Sequence, residues 1–332
     1  MEDIQIAEPV DEPSAQALQT RSQALPEQDE IVLAECVEAL EYPSLIARIS
    51  DKVAMPIEFG LMVLPDWART TIAKVSRKAI EKALDLALFT MDTTTAPGAT
   101  PPAASDGWHT GAAAASGAAG GFFGLPSMLI EIPLSTSIML RSIADIARSE
   151  GEDLSDVTAR LECVSVFAMG GNSDGDDGAE LGYFLAREAM ASMIARTSAY
   201  YEAQLAAKLA ENAAKVAAKG AAKTAAKLLA KEAAEAAKKA QSTTLVKLME
   251  TIAARYSGVI SESAMAKFLP LVGAALGATI NSLFISHYQD VARAHFRVRR
   301  LERSYGDTVI RGEYARIAEQ LKLERKPART KK

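Results

Sequence analysis

The chain has 332 residues, of which 49% are hydrophobic, 24% charged and 6% aromatic, and its formal net charge is −5. These proportions belong to a globular protein and exclude a wholly disordered chain, a collagen-like fibre and a disulfide scaffold. Cys36 and Cys163 sit in apolar helical patterns without a CxxC neighbour, which excludes a zinc or dithiol motif and predicts two buried free thiols.

Residues 1–28 are acidic, rich in Pro, Gln and Ser, and lack a hydrophobic period, so they are expected to be disordered or extended. No basic n-region leads into an apolar h-region, so no secretory signal is read and a cytoplasmic location is expected. From Asp29, the spacing of Ile31, Leu33, Ala34, Val37 and Leu40 predicts a helix that breaks at Tyr42-Pro43-Ser44. A short helix is expected over 45–53. A longer one opens at Asp66, behind Pro65, with Ile72, Val75, Ala79, Ile80, Ala83, Leu84, Ala87 and Leu88 on one face. Three prolines make 93–106 a loop.

Residues 107–130 carry no formal charge, and Gly117/Gly121 and Gly120/Gly124 form two overlapping GxxxG spacings. Glu131 and Pro133 follow, and a helix is expected over 134–147 with Gly151 as its stop. A further helix is expected over 155–169, with Asp156 and Thr158 near its start. The polar run 170–178 fails the calcium-loop frame and reads as a connecting loop. Helix resumes over 180–201. Residues 203–240 hold eighteen Ala and eight Lys, a long solvated helix with a narrow Ala seam.

Residues 245–256 continue as helix. Residues 268–286 form a second uncharged stretch, with Gly273, Gly277 and Asn281 on one helical face. Basic helices over 289–303 and 308–323 and a basic tail, 326–332, close the chain. No alternating strand pattern stands out. The fold class is therefore all-α: one multi-helix domain over 29–325, with two central Gly-rich apolar helices and one Ala/Lys-rich helix.

The catalytic inventory is short. His109, His287 and His295 fall in no HExxH motif, and GxSxG, Walker and GxGxxG motifs are absent. No catalytic residue, cofactor or metal site is assigned, and His287 and His295 read as surface or helix-end side chains. The uncharged stretches carry more information. A 19-residue helix spans about 28 Å, near the roughly 30 Å hydrocarbon thickness of a bilayer. Small residues at four-residue spacing let helix backbones approach closely. Gly117, Gly121, Gly124, Gly273, Gly277 and Asn281 are therefore the candidate packing, membrane or ligand contacts, either in a bilayer or at the crossing of two helices in a protein core. Glu131 and Arg141 are the candidate buried charges. Glu131 needs Arg141 or a terminal arginine as its partner, or else it is a proton or ligand site.

The two ends are oppositely charged: eleven acids against one base over 1–41, and thirteen Lys/Arg against five acids over 293–332. The basic end suits an anionic membrane leaflet. Nucleic acid is not expected as a partner, because the chain is acidic overall and the basic end lacks interleaved aromatics.

The run 111–124, Glu131-Ile-Pro133, Arg141-Ser-Ile-Ala-Asp-Ile-Ala, and the later run from Phe268 to Asn281 followed by Ala292-Arg-Ala-His-Phe296, together resemble the core of the EcsC family. The resemblance covers about 30–305, with the Ala/Lys stretch as an insertion. It matches Gly117, Gly121, Glu131, Pro133, Arg141, Gly273, Gly277 and Asn281 to recurring family positions of structural or unassigned role. It implies a protein related to one encoded beside an ABC transporter, with no agreed activity. The leading expectation is a non-enzymatic helical protein on the cytoplasmic face of a membrane, accessory to a transport protein or envelope system. The alternatives are a soluble carrier of a lipid or other apolar ligand, and a hydrolase acting through Glu131 or His109.

Overall fold

The computed structural model describes residues 25–42, 65–90, 128–170, 182–216, 244–261 and 274–325, together with Leu45 and Lys231. Among them every regular element is a helix: α1 (Glu27–Glu41), α2 (Asp66–Thr90), α3 (Met128–Ser149), α4 (Val157–Ser165, extended by a 3-10 turn over Val166–Ala168), α5 (Gly182–Val216), α6 (residues 244–261), α7 (Ala274–Tyr305) and α8 (Asp307–Arg325).

Local chemistry sets several boundaries. Gly151 takes φ +86°, and the amides of Gly151 and Glu152 return to the carbonyls of Arg148 and Ala147 at 3.1 and 3.0 Å. This is the Schellman arrangement, which needs a left-handed residue just past the helix and so selects glycine. Asp156 caps α4, its Oδ1 accepting from the Thr158 amide at 2.9 Å. Gly306, at φ +90°, turns the chain from α7 into α8.

Two boundaries differ from expectation. Pro133 lies inside α3 rather than before it. As the sixth residue of the helix it falls beyond the first turn, and its missing N–H leaves the residue 129 carbonyl without its in-helix donor. The next-turn hydroxyls of Thr136 and Ser137 donate back to the carbonyls of Ile132 and Pro133 at 2.6 and 2.7 Å. The uncharged and basic stretches around 286–289 are not separate helices. They join in α7, a single helix of 32 residues and about 48 Å.

α7 is the central element. Ile280, Phe284, Ile285, Tyr288, Val291, Ala292, Phe296, Val298 and Leu301 are all buried on it. Sequestering each large apolar side chain stabilises the fold by about 1.5–3 kcal/mol before entropy is counted. Phe167, Tyr256, Phe284 and Tyr288 form an aromatic cluster with ring centroids 5.0–6.2 Å apart. α3 lies beside α7 and runs parallel to it: Ser135 meets Asn281, Ser142 meets Gln289, and Glu150 meets Arg297. α2 packs along α3 and α4, α5 packs on α4, and α1 and α8 pack on α7 and on each other. α5 carries the first part of the Ala/Lys run as continuous helix to Val216. The expected segments over 1–24, 46–53, 93–106, 171–178 and 326–332 lie outside the described residues.

Candidate functional site

Because α3 and α7 are parallel, both N-termini lie at one end of the molecule. In sequence, the uncharged stretch 107–130 runs into the start of α3 and the stretch from 268 into the start of α7. Their seam is polar at its edge. Glu131 and Asn281 are both buried. The Asn281 Nδ2 donates to Ser135 Oγ at 3.4 Å, and the Thr136 and Tyr256 hydroxyls share a bond of 2.7 Å. The Gln289 amide donates to Ser142 Oγ at 2.9 Å further along. The offset of 146 between partners puts Glu131 level with Gly277, in the first turn of α7. Three of the sequence-selected positions, Glu131, Gly277 and Asn281, thus share one seam. Gly117, Gly121, Gly124, Gly273 and His109 lie outside the described residues. Arg141 is exposed and ten residues, about 15 Å, along α3 from Glu131. It is therefore not the buried charge anticipated, and the expected Glu131–Arg141 pair is corrected.

The opposite end is ionic. The Schellman turn presents Glu150 and Glu152 to the arginines of α7. Arg299 donates to Glu152 through Nε at 2.8 Å and Nη2 at 3.1 Å, and through Nη1 to Glu162 at 3.2 Å. Arg297 Nε donates to Glu150 at 3.2 Å, and Arg300 and Arg303 pair with Glu150 and Glu152. Arg187 on α5 grips Glu302 with two bonds of 2.7 Å.

Within this network His295 is fully buried, as is His287, so the surface reading of both is corrected. His287 Nε2 lies 2.6 Å from the Gly170 carbonyl. The Tyr183 hydroxyl lies 2.9 Å from His295 Nδ1, and His295 Nε2 faces Glu162 at 3.6 Å. Burial holds His295 below the usual imidazole range, despite Glu162. The neutral ring then accepts from Tyr183 and turns its Nε2–H toward the carboxylate. Burial alone would raise Glu162. The neighbouring His295 and the guanidinium charges of Arg299 and Arg187 overcome it and hold the carboxyl at about 2. Burial pushes the Cys36 thiol up to about 12 and raises Cys163 as well, so both expected buried thiols are chemically quiet.

The charged ends of the chain neutralise each other. Glu30, Glu35 and Glu38 of α1 pair with Arg316, Arg297 and Arg325, and Asp29 accepts from the Tyr305 hydroxyl. Glu41 accepts from the amides of Gly182 and Tyr183 at the start of α5 and from the Tyr314 hydroxyl at 2.9 Å. Burial raises its carboxyl above the usual range against these bonds. The helical part of the basic end is thus engaged inside the molecule rather than presented as a bare cationic face.

Two clefts flank these contacts. One of about 350 Å³ lies between α1, α7 and α8, beside Glu35, Glu38, Asp290, Arg293, Arg297 and Arg325. Another of about 440 Å³ lies at the ionic end, beside Glu152, Asp153, Asp156, Arg299, Glu302 and Arg303. Both are lined largely by charged residues rather than by the hydrophobic and aromatic side chains that a lipid-sized ligand selects. Among the described residues, no cluster of three His, Cys, Asp or Glu side chains is arranged to hold a metal ion. Nor is any helix of the described residues long and apolar enough to cross a membrane.

The sequence reading missed Tyr183, Glu162 and the Glu150/Glu152 pair. His295 had a usable signal, since it follows Val291 and Ala292 by four and three residues on the buried face of α7. No curated protein and no solved structure matches the chain. The model of the EcsC protein family matches residues 45–301, well over half of the chain, and the chain belongs to that family.

Proposed function

We propose that the protein associates with a membrane surface through the uncharged end of the α3–α7 pair. The observation that carries this reading is the segregation of charge along the pair. Ion pairs gather at the C-terminal end of α7, while both charge-free stretches lead into its N-terminal end. Hydrogen bonds across the seam favour the same reading. Ser135–Asn281 and Ser142–Gln289 hold two helices together by polar contacts, which keep their strength when surrounding water is replaced by lipid. The mode is peripheral for the described helices. The ionic end and the α1–α8 pairing face away from the lipid, and the uncharged end lies against it. The paired arginines of α7 and α8 have little part in it, contrary to the role expected of the basic end.

Cosedimentation of the full chain with vesicles tests this. Binding to vesicles containing phosphatidylglycerol is expected. A chain that stays in the supernatant with anionic and neutral vesicles alike overturns the reading.

A further inference from the structure

We infer that His295 is the proton switch of a clasp that holds α4 against α7, and that mild acid opens this clasp before the rest of the fold. The clasp works at the ionic end and is independent of how the protein meets a membrane.

His295 sits on α7 and reaches a different helix through each ring nitrogen. Tyr183 of α5 lies 2.9 Å from Nδ1, and Glu162 of α4 lies 3.6 Å from Nε2. All three side chains are buried. One ring proton satisfies this arrangement: Nε2–H faces the carboxylate, and Nδ1 accepts from the Tyr183 hydroxyl. A second proton, on Nδ1, sets two donors against each other. The Tyr183 hydrogen then loses its acceptor inside a sealed site, which is costly.

The charges point the same way. α4 supplies Glu162, α5 supplies Tyr183 and Arg187, and α7 supplies Arg299, Glu302 and Arg303, with Glu152 reaching in from the turn after α3. Behind the Tyr183 ring stand Tyr314 of α8 and Glu41 of α1. Arg187, Arg299 and Arg303 already match Glu302, Glu152 and Glu162. An imidazolium adds one cation to a balanced set, so acid favours any state in which the ring reaches water.

α4 is the piece that gives way. It is nine residues long, and Glu162 is its polar hold on Arg299 and His295. Its far end stays anchored: the Tyr288 hydroxyl donates to the Phe167 carbonyl at 3.4 Å, and His287 Nε2 lies 2.6 Å from the Gly170 carbonyl. Opening at Glu162 therefore bares its neighbour Cys163, which is otherwise sealed. The pH window follows from the signs. Burial holds His295 below its ordinary 6.5, so opening gains as pH falls through 6.5. Glu162, at about 2 against 4.5, adds to opening only below pH 4.5. Glu41 is raised, so falling pH favours its closed form and opposes opening. Between pH 6.5 and 5 the drive at this junction comes from His295.

Two single-thiol versions of the full chain test this: Cys36→Ser reports on Cys163, and Cys163→Ser reports on Cys36 in α1. Each is labelled with a pyridyl disulfide from pH 7 to pH 5, and the rate is divided by that of a free thiol at the same pH. The Cys163 rate should rise by up to about tenfold per pH unit below 6.5, the limit for one coupled proton, while Cys36 stays flat. His295→Gln, which keeps an acceptor and a donor but takes no proton, should abolish the rise. His287→Gln should preserve it. If Cys36 follows the same slope, the opening is global and the clasp is wrong. A flat Cys163 rate, or a slope that survives His295→Gln or disappears with His287→Gln, also overturns it. The two single-thiol chains separate local from global opening even where His295→Gln does not fold.

Discussion

Replacing Arg299 with Ala should be among the most damaging single changes in the molecule. Its side chain is 19% exposed and bridges two carboxylates that are nearly sealed, Glu152 at 6% and Glu162 at 9%. Removing the guanidinium deletes three hydrogen bonds of 2.8–3.2 Å and leaves two buried anions facing each other across the gap. Breaking one buried ion pair by deleting a partner costs about 3–5 kcal/mol, because the remaining charge is uncompensated. The same range is expected here, held from growing further by Arg303 beside Glu152. Guanidinium unfolding of the full chain at neutral pH, with linear extrapolation, measures it. Adding Glu162→Gln to Arg299→Ala removes one stranded charge. The double variant should therefore be more stable than the sum of the single effects by about 1 kcal/mol or more. A loss under about 1 kcal/mol for Arg299→Ala, or strictly additive effects in the cycle, would refute the claim that Arg299 neutralises both carboxylates.

Glu162 also predicts an acid limb. Its folded carboxyl sits at about 2 against an ordinary 4.5, so its contribution is complete above pH 4.5 and is lost as pH falls toward 2. That difference amounts to about 3 kcal/mol, and Glu162→Gln should flatten this limb in a pH series of unfolding midpoints. His295, held below its usual 6.5, acts in the same direction: stability begins to fall as pH drops through 6.5, where the unfolded imidazole takes a proton and the buried one resists it. His295→Gln should reduce the slope there. Gly170→Ala places a Cβ 2.8 Å from the Tyr288 ring and 3.0 Å from His287 Nε2, which should lower stability by about 1–3 kcal/mol in denaturant titrations. Gly312→Ala, in α8 with nothing within 4 Å, should instead add about 0.5–1 kcal/mol, whereas Gly151→Ala at φ +86° should lose about 1 kcal/mol or more.

Helix type and the local stops were legible because their signals are local. The period from Ile72 to Leu88 marks α2, the pair Asp156/Thr158 marks the start of α4, and the glycine at 151 marks the end of α3. Pro133 misled the reading because proline is read as a helix stop, whereas here the helix runs on through it at the loss of one backbone bond. The ionic network was not legible. Arg299 and Glu162 are 137 residues apart, and Arg297 and Glu35 are 262 apart, separations that no periodic pattern encodes. A run of arginines reads as a solvated face until its partners are known. The same blindness made His295 a surface residue. The buried face it shares with Val291 and Ala292 was in the sequence, but the flanking arginines concealed it. At the uncharged end the sequence supplied Glu131 and Asn281 as separate candidates, and only the parallel course of α3 and α7 makes them neighbours.

The family match stops at residue 301, four residues short of the end of α7, and begins after α1. Yet Leu33, Cys36, Val37 and Leu40 on one side of those limits, and Ile310 and Tyr314 on the other, are as dry as anything in the centre of the molecule. A fragment trimmed to 45–301 would lose Glu302, the anchor of Arg187, and would bare the groove that α1 and α8 jointly seal. The stretch that the family model matches is thus smaller than the unit that packs: α1 and α8 wall the core from outside it, and any excision for expression has to start before Glu27 and end beyond Arg325.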